Sequence, residues 1–124
     1  MCKINIRLLI LFILISLFLL GGCSKYSDEV QANLIKLKKT KSCSGCDLTG
    51  IELIGFDLTG ADLSGANLTG ANLRRSDLTG ANLNDANLTD TDLLGSNLTG
   101  ATLTNTNLTG VKLSYANINR AENI

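Results

Sequence analysis

Residues 61–80 read ADLSGANLTGANLRRSDLTG. A leucine stands at every fifth position, at Leu63, Leu68, Leu73 and Leu78. Two residues before each comes a small side chain, then Asp or Asn. After most leucines come Thr or Ser and then Gly. A period of five suits neither regular element. On an α-helix five residues rotate by about 140°, which scatters the leucines around the axis. On one continuous strand an odd period sends alternate leucines to opposite faces. The pattern closes only if the chain turns a corner in every repeat. Within a repeat the small residue and the Leu are two apart, so extended backbone points both the same way, toward a core. The Thr-Gly pair supplies the corner, because Gly accepts the positive φ of tight turns.

Outward from this stretch the same frame runs without a gap from Cys46 to Arg120, as fifteen pentapeptides centred on Leu48 through Ile118. Repetition at a short fixed period is the mark of a solenoid. This run resembles the pentapeptide-repeat family, whose motif is small–Asp/Asn–Leu–polar–Gly. The resemblance implies an all-β chain, a right-handed quadrilateral β-helix with four repeats per coil. Fifteen repeats then make just under four coils.

Upstream, Lys3 and Arg7 precede thirteen residues, 8–20, that are apolar except for Ser16. That length fits a signal-peptide core and falls short of the ~20 residues that span a bilayer. Leu20, Gly21, Gly22 and Cys23 follow, and they resemble the lipobox of bacterial lipoproteins. The resemblance implies cleavage before Cys23 and a covalent diacylglycerol and N-acyl chain on it, with no other cofactor. It places the chain on the extracytoplasmic side of a bacterial envelope. Ser24 after the cysteine points to the outer membrane where the organism has two.

Residues 23–27 are expected as a lipid-anchored tether and 28–42 as a capping helix. In that helix Ser27 can serve as N-cap, with Asp28 and Glu29 in the first turn and Lys36, Lys38, Lys39 and Lys41 toward the end. Val30, Leu34 and Leu37, with Ile35 beside them, form a stripe that needs a partner. The nearest is the open end of the solenoid, residues 43–120, which leaves 121–124 as a tail.

Residues 1–22 hold two basic residues and no acid, which leaves nine basic and eleven acidic residues after them. So small a net charge gives no electrostatic case for nucleic acid. The chain has no His, Trp or Pro. The recurring acids, such as Asp57, Asp62 and Asp77, lie on successive outward sides and do not converge as a calcium site would. Cys43 and Cys46 form one C-x-x-C. Zinc would need two more ligands. In an exported chain the pair reads as a structural disulfide joining cap to first coil. Reduced, packed cysteines and a redox pair are the alternatives. A helix with C-x-x-C leading into the repeats also resembles the start of many family members.

One side of the coil departs from consensus. The side centred on Leu53, Leu73, Leu93 and Leu113 carries Ile54, Arg74, Arg75, Leu94, Lys112 and Tyr115 at outward positions. Apolar, Arg and Tyr side chains together are the usual composition of a contact patch. The function expected is therefore non-catalytic: a protein-interaction or structural module of the cell envelope. Its partners are the membrane, through the lipid, and an unidentified envelope protein or a second copy of the chain. Neither nucleic acid nor a small-molecule substrate is expected. Two alternatives stand beside this reading. One is a DNA-mimic, topoisomerase-protecting protein, by family resemblance. The other is a thiol–disulfide redox protein using Cys43 and Cys46.

Overall fold

The computed structural model describes residues 24–124. The expected signal segment and the Cys23 lipidation site lie outside the described residues.

Helix α1 spans Asp28–Thr40. Ser27 caps its start, with Oγ accepting the Val30 N–H at 3.3 Å. Asp28 and Glu29 sit in the first turn and Lys38 and Lys39 in the last, each sign where the helix dipole favours it. The helix ends two residues before the expected boundary. Lys41 adopts a left-handed conformation at φ 52° and returns its N–H to the Leu37 carbonyl at 2.9 Å. A left-handed residue terminates a right-handed helix and satisfies one of its orphan carbonyls.

Lys41 also begins the solenoid. Thirteen parallel bridges pair residue i with residue i+20, from Ser42↔Asp62 to Thr102↔Glu122. One coil is therefore twenty residues, or four repeats. Lys41-Ser42-Cys43-Ser44-Gly45 makes the same bonds as the later repeats: Cys43 N–H to the Asp62 carbonyl, Gly45 N–H to the Ser64 carbonyl, Cys46 N–H to the Cys43 carbonyl. The repeats thus number sixteen over residues 41–120, and the expected fifteen is corrected. Glu122 adds a further rung below Thr102.

The corner after Leu58 shows how each side ends. Ala61 donates its N–H to the Leu58 carbonyl at 2.9 Å, and Gly60 between them has φ 65°. Positive φ at the third residue is the type II turn. Because a corner comes every fifth residue, only about three residues per side stay extended. The sheet expected of an all-β chain is thus reduced to isolated bridges, with no longer strand among the described residues. Adjacent coils are nevertheless fully laced. Leu58 N–H donates to the Asp77 carbonyl, Gly60 N–H to the Thr79 carbonyl and Asp77 N–H to the Phe56 carbonyl, at 2.7 to 2.9 Å.

The core is a column of leucines, buried from Leu48 through Leu103. Each contributes about 1.5–3 kcal/mol by burial. Ser76, Thr91 and Ser96 replace the small apolar residue in places, and their hydroxyls donate to the carbonyls of Leu73, Leu68 and Leu93. No buried side-chain N or O among the described residues lacks a partner. Such pairing removes the desolvation penalty that an unmatched hydroxyl would carry. Leu37 joins the same core from α1, with Leu34 packed against it. Ile35 does not belong to that stripe and stands on the outer face of the helix.

A first coil has no coil above it, and a bare edge of this kind invites foreign pairing. Here the N-terminal segment covers it. Asn33 Nδ2 donates to the Asp47 carbonyl at 3.0 Å, and the Tyr26 hydroxyl accepts the Glu52 N–H at 3.1 Å. Lys41 Nζ reaches Asp57 Oδ2 at 2.8 Å. The stretch expected as a tether is thus in part a cap. Toward Ile124 the core opens: Leu108 and Leu113 are half-buried, and Ile118 is exposed.

Candidate functional site

On consensus sides the outward polar residues are occupied with holding the wall together. Asn97 Oδ1 accepts from both the N–H and the hydroxyl of Thr99, at 3.1 and 2.6 Å, while its Nδ2 donates to Thr79 Oγ1 on the coil above at 2.9 Å. Asn67 and Asn107 repeat this bond to Thr49 and Thr89. The Asn-Leu-Thr triplets are thus a product of repeat phase, their amides used structurally. Where Asp replaces Asn, the same donors stabilise the carboxylate. Asp47 and Asp62 lie below the usual carboxylate range, first because of the Thr49 and Ser64 hydroxyls. Asp57 lies well below it, with Lys41 the largest cause and Thr59 next.

The side carrying Leu53, Leu73, Leu93 and Leu113 is built differently. Its bridges Glu52↔Asn72, Asn72↔Asp92 and Asp92↔Lys112 hold one side in register over four coils. This register brings the sequence-predicted residues together. Gly55 N–H donates to the Arg74 carbonyl, Arg75 N–H to the Leu94 carbonyl and Gly95 N–H to the Ser114 carbonyl. Ile54, Arg74 and Leu94 therefore stack in one row and Arg75 and Tyr115 in the next. Ile54 and Leu94, two coils apart, are separated by roughly 10 Å at ordinary strand spacing. Ile54 is 57% exposed and Tyr115 is 92% exposed. Arg74, Arg75 and Lys112 are exposed too, whereas Leu94 is half-buried.

Asn72 and Asp92 still bend back, accepting the N–H groups of Arg74 and Leu94 at 3.3 and 3.0 Å. With Ile54, Arg74 and Leu94 in place of Thr, the hydroxyl that would link coil to coil is missing. Arg75 and Tyr115 moreover hold the left-handed corner at φ 57° and 59°, a conformation that costs an ordinary L-residue about 1–2 kcal/mol. The aliphatic stem of Arg75 lies over Gly95, where an added Cβ would meet Cγ of Arg75 at 3.7 Å. What sets this side apart is the loss of wall bonds, since left-handed non-glycine corners also occur on the other sides, at Asp85, Asp90, Asn105 and Arg120.

Two residues that sequence reasoning left in the tether join the top of this side. Lys25 pairs with Glu52, which holds the lysine above its ordinary range, and Tyr26 is bonded to the Glu52 backbone. No signal in the sequence links residues 26 positions apart across a helix.

Cys43 and Cys46 form a disulfide, with Cα atoms 5.2 Å apart. Cys43 takes the leucine position of its repeat and Cys46 the small inward position of the next; they are 0% and 7% exposed. Among the described residues no group of His, Cys, Asp and Glu side chains is placed to hold a metal.

The pentapeptide-repeat family model matches residues 42–80 and 81–120, as eight copies. No curated protein is significantly similar to this chain. Among solved structures, a pentapeptide repeat protein from the Arabidopsis thaliana thylakoid lumen is 32% identical, over 77% of this chain and 72% of that one, with a TM-score of 0.51. A pentapeptide repeat protein of the cyanobacterium Cyanothece 51142 is 28% identical, over 74% of this chain and 93% of its own, with a TM-score of 0.39. Another, from Nostoc PCC 7120, is 36% identical over 64% of this chain and 72% of its own, at a TM-score of 0.38.

Proposed function

Because this chain belongs to the pentapeptide-repeat family, we propose that it is a non-catalytic interaction module, carried on the outer side of a bacterial membrane by lipid on Cys23. It meets an envelope protein or a second copy of itself through the side bearing Ile54, Arg74, Arg75, Leu94, Lys112 and Tyr115. The right-handed quadrilateral β-helix is part of this reading, supported by the 20-residue register and the four corners per coil.

The observation that carries the reading is the departure of one side from the bonding used on the others. Residues selected for stability alone would keep Thr and Gly at these outward positions, as the side of Thr59, Thr79 and Thr99 does. Exposed apolar and Arg side chains on a rigid, evenly spaced wall form a surface suited to contact.

Photocrosslinking in cells tests the reading. A photoreactive residue at position 54 or 94 should capture a discrete adduct in the membrane fraction, and one at position 59 or 99 should not. Equal capture from both sides would refute a working face. Cys23→Ser should abolish fatty-acid labelling and either release the chain from membranes or leave it unprocessed; normal labelled, membrane-bound protein would refute the anchor.

A further inference from the structure

Charge is unevenly divided along the tower. Residues 24–41 hold five basic and two acidic residues, whereas 42–124 hold four basic and nine acidic. Helix α1 lies across the N-terminal end of the solenoid with Val30 and Leu37 buried; its two acids, Asp28 and Glu29, fill the first turn and its three lysines cluster in the last two turns. Its outward face presents Asp28, Ala32, Ile35 and Lys39, all exposed. Lys36 and Lys38 flank it, both exposed, with the Lys36 amine 4.0 Å from Cys46 Sγ and the Lys38 amine 5.8 Å from the centre of the Phe56 ring. Ile35 is 55% exposed. Among the described residues the ion pairs are Lys25–Glu52 and Lys41–Asp57, so Lys36, Lys38 and Lys39 have no carboxylate partner.

This end is also the one nearest the anchor. Four residues separate Cys23 from the start of α1, a reach of at most about 18 Å when extended. Tyr26 and Lys25 shorten it by holding to Glu52 in the first coil.

We propose that the outward face of α1 rests on anionic lipid headgroups, Ile35 dipping among them and Lys36, Lys38 and Lys39 paired with their phosphates. This proposal rests on the reading of Cys23 as the anchor. The solenoid then stands end-on, its acidic coils directed away from the bilayer and its working side upright and accessible. Three lysines clustered around one exposed apolar residue in the C-terminal turns suit a lipid surface better than a protein groove, which would want an uninterrupted apolar stripe. Each lysine near such a surface raises partitioning roughly fivefold, and salt screens the effect within about 10 Å at 0.1 M.

The full lipidated chain, reconstituted in neutral phosphatidylcholine vesicles and in vesicles with added phosphatidylglycerol, tests the orientation. A water-soluble acetylating reagent is applied and each lysine is read by mass spectrometry. Lys36, Lys38 and Lys39 should be acetylated several-fold more slowly on the anionic vesicles, Lys112 at the same rate on both, and 0.5 M salt should remove the difference. Lys36→Gln, Lys38→Gln and Lys39→Gln together should abolish any preference for anionic over neutral vesicles without changing thermal unfolding. Vesicle-bound protein with equal acetylation in both compositions would overturn the docking and leave the anchor standing. Protection of Lys112 as well would show that another face lies on the lipid and would also overturn it. Protection on anionic vesicles with no binding to neutral ones would keep the docking and refute the anchor.

Discussion

Cys43 and Cys46 are joined through a disulfide that ties the centre of the first repeat to the inward corner of the second, directly beneath α1. The carbonyl oxygen of Asn33 lies 3.5 Å from the Cys43 sulfur, and Leu37 closes the same core. The bridge therefore fixes the first corner, on which every later coil is stacked. A loop this short restricts the unfolded chain by about 2 kcal/mol. Cys43→Ala with Cys46→Ala should lower stability by at least that amount while leaving the coil folded, as read by denaturant unfolding. Unchanged stability would mean that the bridge constrains nothing that folding must otherwise constrain.

Acid should loosen the wall. Asp47, Asp57 and Asp62 are held below the carboxylate range in the fold, against an unfolded value near ~3.9. A depressed folded pKa gives stability that is complete above the unfolded value and is lost as pH falls through the folded one. The melting temperature should thus be insensitive to these groups from neutral pH to about 5 and fall progressively below about 4. Asp57→Asn keeps the bond from Thr59 N–H but not the charge facing Lys41, so the acid slope should become shallower. An identical slope in that variant would assign the acid sensitivity elsewhere.

Register should matter more than composition. Deleting Thr79 moves every later leucine out of phase with its corners, so half of the ladder must re-pair or melt. Cooperative unfolding should be lost, whereas deletion of Ile124 should leave the melting curve nearly unchanged. Similar curves from both deletions would contradict a coil fixed at twenty residues.

Arg75 offers a way to separate folding from contact. At φ 57° it carries a left-handed strain of about 1–2 kcal/mol, offset in part by the ~0.5–1 kcal/mol entropic cost of Gly. Arg75→Gly should raise stability by up to about 1 kcal/mol and weaken partner crosslinking. A variant less stable than the parent would show that the Arg75 stem over Gly95 contributes packing that outweighs the strain.

The leucine period made the corners and the inward column legible from sequence, because a five-residue frame has few ways to close, while the count of four repeats per coil came from the family resemblance. The stacking of Ile54, Arg74 and Leu94 followed from the same arithmetic. Cys43 was harder to place. It occupies a leucine site without being leucine, and Lys41 occupies a small-residue site, so the first repeat was divided between the expected capping helix and the solenoid although Ser44-Gly45 already marked its corner. The end of α1 was misjudged because nothing in Lys41 signals a left-handed cap, a role usually given to Gly. The Tyr26–Glu52 and Asn33–Asp47 contacts were invisible for another reason. They satisfy edge groups that exist only once the first coil has formed.

The most direct measurement is envelope crosslinking of the triple variant Ile54→Thr, Arg74→Thr and Leu94→Thr. These changes restore the polar residue used on the other sides, so thermal unfolding should stay at or above that of the parent. The discrete crosslinked species should disappear. A well-folded triple variant that still forms the same crosslinks in the same yield would contradict the assignment of this side as the working face.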